Sequence, residues 1–368
     1  MTTASSPRGR ARAPRTAPRV GDDGRRLGTA GHALVVCMLA LVLGSLLMAP
    51  GMHKSAFNRQ PGTQREVALA ITGPLATASH GLLLDRPRHL VQRAIGRGSA
   101  DEIDTAIELP PPMTGPTTTI PAPSPTTKPS PGTPVTPAKV AFTPKRKLRL
   151  WVAGDSLVIT PGYSIVRAAG ASPVIQSVGG VDGRVATGLT RPDVFNWFTH
   201  IAAEVKRLRP KVVVVNFGAN DDHGYMTGLP EGTSIGPFAS ATWSAEYRRR
   251  VVGLMDTVTR AGAVVVWIGL PITRSEAQTQ RFDTINAIVQ KEAKAQPGKA
   301  IFIDTYTMFA GDNGGFVEYL ENANGDTVKV RAGDGVHFDT AGGDLIAREV
   351  LKQLNTLFDL TSWRKKPA

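Results

Sequence analysis

Short apolar runs alternate with amphipathic segments over residues 145–362, and this alternation predicts an α/β domain. The apolar runs have strand length and are rich in β-branched residues; they cover 148–153, 174–178, 212–217, 264–268 and 300–303. The amphipathic segments repeat apolar positions at helical spacing; they cover 193–208, 243–259, 276–295 and 341–357. Because alternating strands and helices form parallel sheets covered by helices, we expect a three-layer α/β/α sandwich around a mostly parallel five-stranded sheet. Two further apolar segments flank Gly325 and predict a hairpin over 316–330.

A different pattern occupies the first 50 residues. An uncharged apolar run over 33–50, extended by Gly31 and His32, approaches the ~20 residues that span a bilayer. Seven arginines precede residue 27, and so long a basic lead favours an uncleaved signal anchor over a signal peptide cleaved after Ala49. The positive-inside rule then predicts a cytoplasmic basic tail over 1–30, one transmembrane anchor over 31–50 and an extracytoplasmic location for the rest of the chain.

Two segments separate the predicted anchor from the predicted catalytic domain at 145–362. Residues 51–109 contain apolar clusters at helical spacing beside arginines, which predicts a membrane-proximal stem of short amphipathic helices. Residues 110–144 carry 12 of the 28 prolines among Thr, Ser and Ala, which is typical of an extended linker. About 35 residues at ~3.1 Å each reach roughly 100 Å, a span that suits an enzyme acting on a polymer outside the membrane.

Charge and cysteine content exclude two classes of function. The chain has a net charge of +13, but +9 of it belongs to residues 1–145. The +4 that remains for residues 146–368 does not favour nucleic-acid binding. Cys37 is the only cysteine and lies inside the apolar run. The exported part therefore has neither a disulfide framework nor a thiol nucleophile.

A candidate nucleophile follows the first predicted strand. Residues 154–157 read Gly-Asp-Ser-Leu, and Gly154 permits a sharp turn at the carboxyl edge of the sheet, where α/β proteins bind ligands. Ser156 is the candidate, and an ordinary turn is the competing interpretation. A serine hydroxyl needs a base within hydrogen-bond reach and a third group that orients the base.

Three histidines of the domain are candidates for that base. His200 falls on the polar face of a predicted helix, which predicts a solvated surface residue, and His223 follows a strand end where it can line a pocket. His337 lies in a glycine-rich loop before the last helix, and Asp334, three residues earlier, can fold back onto its imidazole. Asp339 competes with Asp334 as the orienting acid and also suits the N-cap of the last helix.

Acyl transfer also needs hydrogen-bond donors aimed at the developing oxyanion. Asn220 follows the third predicted strand, so its amide should project at the same edge as Ser156, unless it only makes a turn. The N–H of Ser156 is a second donor, and a glycine in the loop after the second strand, Gly188 or Gly183, supplies a third.

Four blocks follow one another along the chain: Gly-Asp-Ser-Leu at 154–157, a loop glycine, Gly-Ala-Asn-Asp at 218–221 and Asp-Gly-Val-His at 334–337. In this order they resemble the blocks of the SGNH (GDSL) hydrolase superfamily. The resemblance covers about residues 147–358 and implies a flavodoxin-like sandwich. Stretch 187–193, the hairpin and the anchor resemble the membrane-anchored cell-envelope members found in bacteria.

The resemblance also assigns roles to the candidate residues. It makes Ser156 the nucleophile and places Asp334 and His337 in a catalytic triad. Ser156, Gly188 and Asn220 would form the oxyanion hole, and the Thr-Gly-Leu context favours Gly188 over Gly183.

Three hypotheses about function follow. The first is an extracytoplasmic serine esterase or deacylase that removes short acyl groups, acetyl above all, from cell-envelope glycans or small esters. The second is an O-acyltransferase that passes the acyl group to a cell-envelope sugar hydroxyl and needs a membrane partner if the donor is cytoplasmic. The third is a non-catalytic wall-binding protein. We expect no metal or nucleotide cofactor, because ligand-spaced clusters and phosphate-binding glycine motifs are absent from the sequence.

Overall fold

The computed structural model describes residues 30–59, 62–94, 101–111, 139–230, 232–322 and 324–364. The predicted basic tail and most of the predicted linker lie outside these ranges. The chain divides into two compact units, Met1–Asp101 and Glu102–Ala368.

The first unit contains three helices, α1 (Ala30–Phe57), α2 (Thr63–Gly81) and α3 (Arg86–Ala94). Within the described residues, Gly31–Phe57 is the one single helix that is long and apolar enough to cross a membrane, with a mean hydropathy of 2.5. The predicted anchor over 31–50 is therefore part of one continuous helix. The second half of α1 packs against α2, where Arg65 Nε donates to the carbonyl of Phe57 over 3.0 Å.

The core of the second unit is a parallel sheet with the strand order β3-β2-β4-β5-β6. Its strands are β2 (Leu148–Gly154), β3 (Ile175–Gly183), β4 (Val212–Asn216), β5 (Val264–Ile268) and β6 (Ala300–Ile303). Every residue of β4 is buried, and its four consecutive valines are typical of a strand that is covered on both faces. The five predicted strands and the parallel sheet are thus confirmed.

Helices cover the two faces of this sheet. They are α4 (Ile159–Gly170), α5 (Trp197–Leu208), α6 (Ala241–Arg260), α7 (Glu276–Lys294), the short α8 (Thr305–Met308) and α9 (Thr340–Leu357). Helix α4 packs with α9, whereas α5, α6 and α7 pack in sequence. Right-handed connections between parallel strands place these two groups on opposite faces, as the predicted three-layer sandwich requires.

The two boundaries that differ most from the predicted ones do so for local reasons. Helix α5 begins at Trp197 rather than at 193, because the side chain of Asn196 accepts hydrogen bonds from two N–H groups of the first turn. Strand β3 continues past 178 because its register shifts at Gly179 and Gly180, which have φ of +75° and +66°, and it pairs with β2 again up to Gly183. This extension brings the end of β3 to the carboxyl edge of the sheet.

Small sheets complete the second unit. The predicted hairpin forms from β7 (Tyr319–Glu321) and β8 (Thr327–Lys329), which pair in antiparallel fashion. Strand β1 (Val140–Ala141) pairs in parallel with β9 (Phe358–Asp359), so these two segments lie side by side.

Residues 102–111, which the sequence analysis divided between the stem and the linker, belong to the second unit. Their odd-numbered positions from 103 to 109 are half-buried, whereas 102, 106 and 108 are exposed. Asn196 Nδ2 donates to the carbonyl of Ala106 over 2.7 Å and to Asp104 Oδ2 over 2.9 Å. Leu109 fills the space beside Gly253, where an added Cβ would lie 2.5 Å from its methyl groups. We call residues 102–111 the strap.

Candidate active site

Ser156 lies directly after the central strand β2, in a sharp turn that leads into α4. Gly154 ends the strand with φ +154°, and a Cβ at this position would lie 2.1 Å from the carbonyl oxygen of Asn216. Glycine is therefore required there. Ser156 then opens a single turn of 3₁₀-helix, Ser156–Val158, which the side chain of Asp155 caps by accepting from Leu157 N–H over 2.9 Å.

The structure brings Ser156, His337 and Asp334 into one chain of hydrogen bonds. Nε2 of His337 lies 2.8 Å from Ser156 Oγ, although the two residues are 181 positions apart. Nδ1 of the same ring lies 2.6 Å from Asp334 Oδ2. With Nδ1–H donating to the carboxylate, Nε2 is left to accept from the serine hydroxyl.

The carboxylate of Asp334 is held in its ionised form. Partial burial opposes ionisation, but hydrogen bonds from the N–H groups of Val336 and His337, and from the His337 ring, lower the pKa of Asp334 to about 2. Asp339 has another role, because its carboxylate accepts from Thr340 N–H over 2.6 Å at the start of α9. Asp334, and not Asp339, contacts the imidazole.

Arg331, which the sequence analysis did not identify, supports the loop that carries Asp334 and His337. Its side chain is fully buried, and burial lowers its pKa to about 10. The guanidinium donates to four backbone carbonyls, those of Ile272, Gly335, Val336 (2.7 Å) and His337 (3.3 Å). A single arginine late in an alternating segment looks like an ordinary surface cation, so only the fold reveals this contact.

Asn220 follows β4, as predicted, and lies beside the loop after β3. Its Nδ2 donates to the carbonyl of Thr187 over 2.9 Å, which uses one of the two hydrogens of the amide. The second hydrogen is the one that can serve an oxyanion.

The two candidate loop glycines have different neighbours. A Cβ on Gly183 would lie 2.4 Å from Ile159 and 3.5 Å from Val158, the residues that complete the turn after Ser156. A Cβ on Gly188 would instead lie 2.2 Å from a carboxylate oxygen of Asp221. Gly183 is thus the glycine that packs against the serine turn.

Two buried aspartates, both missed by the sequence analysis, join the loops of the site. Asp155 Oδ2 accepts from Gly218 N–H and Ala219 N–H, each over 3.1 Å, and so ties the serine turn to the Asn220 loop. Burial raises the pKa of Asp155 to about 7, against the effect of its backbone donors.

Asp221 makes the next connection. It accepts from Leu189 N–H (3.0 Å), from the N–H (2.8 Å) and hydroxyl (2.7 Å) of Thr190, and from the hydroxyl of Tyr247 (3.1 Å). The Gly-Asp-Ser-Leu and Gly-Ala-Asn-Asp blocks thus each contain an acid that fixes the geometry of a neighbouring loop.

The other two histidines do not contact Ser156. The prediction that His200 is a solvated surface residue is wrong, because its side chain is only 23% exposed and Nε2 lies 2.5 Å from Asp182 Oδ2. The end of β3 contacts the first turn of α5 at this residue, and the ring packs edge-on against Phe195. His223 stacks on Tyr225 with ring centroids 6.3 Å apart.

Across the described ranges, no group of three or more His, Cys, Asp or Glu side chains is arranged to hold a metal ion. The contacts that join Ser156, His337 and Asp334 support the chemistry of an activated serine.

Comparison with known proteins matches residues 149–353 to a family described as "Protein of unknown function (DUF459)". This region contains all four sequence blocks. No curated protein matches the chain.

Several solved structures are similar to part of this chain. A lipase/acylhydrolase from Enterococcus faecalis is 17% identical, with 58% of this chain and 98% of that chain covered and a TM-score of 0.40. A GDSL-like lipase from Bacteroides thetaiotaomicron is 16% identical, with coverage of 58% and 90% and a TM-score of 0.39. A catalytic mutant of an acetylxylan esterase from Geobacillus stearothermophilus is 16% identical, with coverage of 62% and 100% and a TM-score of 0.38.

Proposed function

Because this chain belongs to the DUF459 family, an SGNH-like family, we propose that its second unit is a serine hydrolase that cleaves acyl esters through an acyl-serine intermediate. The observation that carries the proposal is the continuous contact from Ser156 Oγ through both ring nitrogens of His337 to Asp334. A serine hydroxyl is a weak nucleophile by itself, and this arrangement supplies the base and the group that orients the base.

In the first half of the reaction, Ser156 Oγ attacks the ester carbonyl carbon while His337 Nε2 accepts the hydroxyl proton. Asp334 stays ionised, since its pKa is lowered to about 2, and stabilises the imidazolium that forms. When the tetrahedral intermediate collapses, the bond to the leaving oxygen breaks and Nε2 gives its proton to the departing alcohol. The acyl group then remains on Ser156.

In the second half, water attacks the acyl-serine and His337 accepts its proton. Collapse of the second intermediate releases the carboxylic acid, and the proton returns to Ser156 Oγ. The side chains of Asp334 (50% exposed) and His337 (38% exposed) leave the site open to solvent, which supports water as the acceptor.

Three donors stabilise the oxyanion in this proposal: the N–H of Ser156, the side-chain amide of Asn220 and the N–H of Gly183. Packing of Gly183 against Val158 and Ile159 supports it over Gly188, which the sequence context favoured. Removal of one such donor typically lowers the rate by ~10²–10³.

We further propose that the enzyme acts outside the cytoplasm on short acyl esters, acetyl above all, of cell-envelope glycans. The apolar helix α1 and the seven arginines before residue 27 support a membrane anchor with the domain on the far side. An anchor that is joined to the catalytic domain through a proline-rich segment suits a substrate fixed in the envelope.

Hydrolysis of a chromogenic acetate ester by the detergent-solubilised full chain tests the activity. Ser156→Ala should lower the rate by about 10³-fold or more. Ser172→Ala is the matched control, because Ser172 lies between α4 and the amino end of β3 and should leave the rate unchanged. Equal rates for the wild type and Ser156→Ala would overturn the proposal.

Product analysis with an added glycan acceptor separates hydrolysis from transfer. Free acetate as the main product supports the hydrolase. Acetylated glycan as the main product would replace it with the O-acyltransferase, and no turnover of any ester would leave the non-catalytic wall-binding hypothesis.

A further inference from the structure

We propose that the turn between α2 and α3, together with α3 itself, lies in the interfacial region of a lipid bilayer, on the side where α1 leaves the membrane. The proposal concerns the first unit and depends on α1 crossing the bilayer, not on the proposed chemistry.

The path of α2 brings this turn back to the end of the predicted anchor. Near the start of α2, Arg65 contacts Phe57, and further along α2 Thr72 Oγ1 lies 3.2 Å from His53 Nδ1. At the start of α3, Arg88 Nη1 donates to Met48 Sδ over 3.2 Å. Successive residues of α2 and α3 therefore contact successively earlier residues of α1, from Phe57 back to Met48. At 1.5 Å per residue, these contacts run back ~13 Å along α1, to the edge of its apolar run.

Large apolar side chains are exposed at this depth. Leu82 is 64% exposed and Leu83 50% on the turn, and Leu90 is 67% exposed and Val91 62% on α3. Leu83 also has φ +59°, a conformation that non-glycine residues rarely adopt. Four large apolar side chains exposed within ten residues form an apolar patch, and its exposure to water is unfavourable.

The orientation of α3 suits a helix that lies in the plane of the interface. The axes of α2 and α3 differ by 87°, and α2 runs alongside α1, so α3 lies across the direction of the span. Interfacial helices bury an apolar face ~5–10 Å into the boundary between headgroups and acyl chains. Leu90 and Val91 supply such a face.

The charged residues of α3 are compatible with lipid phosphates. Arg86 and Arg93 are exposed at its two ends, and basic residues near an anionic membrane surface strengthen binding to it. Arg88 does not contribute to lipid binding in this proposal, since it donates to both carboxylate oxygens of Asp101. A bilayer with anionic headgroups therefore suits both the apolar patch and the two exposed arginines beside it.

Single-cysteine fluorescence in vesicles tests the proposal on the full chain. Cys37 is the only cysteine, so a Cys37→Ser background accepts an environment-sensitive fluorophore at Leu83→Cys or at Leu90→Cys. Val67→Cys is the matched control, since Val67 is equally apolar and 54% exposed but lies in the second turn of α2, far from the patch. Leu39→Cys reports whether α1 crosses the bilayer.

In phosphatidylcholine vesicles with about 30% phosphatidylglycerol, we expect shallow nitroxide lipids to quench the probes at 83 and 90 at least twofold more than the probe at 67. Aqueous iodide should quench 67 most, and deep nitroxide lipids should quench 39 most. Equal iodide quenching at 67, 83 and 90 would overturn the proposal, as would an absence of deep quenching at 39. Probes at 83 and 90 shielded from both lipid and iodide would assign the patch to a second copy or another protein. Stronger quenching there by deep than by shallow nitroxides would indicate a re-entrant segment instead.

Discussion

The buried guanidinium of Arg331 donates to the carbonyl oxygen of Val336 over 2.7 Å, and its hydrogen bonds to Ile272, Gly335 and His337 also end on backbone carbonyls. Three of these carbonyls, at 335–337, belong to the loop that presents His337 to Ser156. A cation buried in this way fixes the position of the base and also places a positive charge near Asp334.

We predict that Arg331→Met lowers kcat by about 10²-fold and that Arg331→Lys recovers only part of the loss. A lysine supplies one point charge in place of the planar fork that reaches several carbonyls. The split between kcat and KM distinguishes positioning from simple destabilisation: the folded variants should lose kcat with little change in KM, and Arg331→Lys should recover part of kcat. A wild-type kcat in both folded variants would assign Arg331 a structural role only.

A matched pair of variants shows whether Asp334 or Asp339 orients His337. Asp334→Asn should lower kcat by about 10²–10⁴-fold, because an amide cannot stabilise the imidazolium and favours the wrong tautomer. Asp339→Asn should stay near the wild-type rate, since asparagine also caps a helix. A greater loss in Asp339→Asn would reassign the acid.

Asn220→Ala should reduce kcat by about 10²–10³-fold with a much smaller change in KM, because the donor acts on the oxyanion more than on the bound ester. The hydrogen bond to Thr187 is lost as well, so the melting temperature must be measured beside the kinetics. A rise in KM at constant kcat would argue against an oxyanion role.

The low pKa of Asp334 predicts a specific loss of stability in acid. Its folded pKa of about 2 lies below the unfolded value of 3.8, so the stabilisation is fully present above pH 4 and is lost as the pH falls through about 2. The side chain is half exposed, so solvent screening limits the effect to about 1 kcal/mol. Denaturant unfolding between pH 5 and pH 2 should therefore show a smaller acid loss in Asp334→Asn than in the wild type, and parallel curves would contradict this account.

The strap predicts where a stable fragment begins. A fragment that starts at Glu102 should melt about 5 °C or more above one that starts at Lys139, because it keeps the bonds of Asn196 and the packing of Leu109, and ~1 kcal/mol corresponds to 2–4 °C in a domain of this size. Leu109→Ala in the longer fragment should remove part of the difference. Identical melting temperatures for the two fragments would show that the strap adds no stability.

Most of the fold could be predicted from the sequence because its strands are short, apolar and bounded by polar turns. The same holds for Ser156, Asn220, Asp334 and His337, since each comes from a strand end or a loop at one edge of the sheet. Position after a strand and the family resemblance predicted that Ser156, His337 and Asp334 meet, and the structure joins these three by hydrogen bonds.

Residues whose role depends on a distant partner were not predictable in the same way. His200 has the spacing of a surface residue, and only the extension of β3 to Gly183 brings Asp182 over its ring. Arg331 depends on carbonyls of two separate loops. The choice between Gly183 and Gly188 depends on which turn packs against α4, and local spacing contains no information about that.

The strap also has a mechanical consequence. A pull on the second unit from its N-terminal side meets residues 102–111 before any strand of the sheet. Such tension first loads the bonds between Asn196 and the strap, which lie at the start of α5. Ser156 and His337 lie further along the chain, so tension at residue 102 acts on the strap before it acts on the catalytic loops.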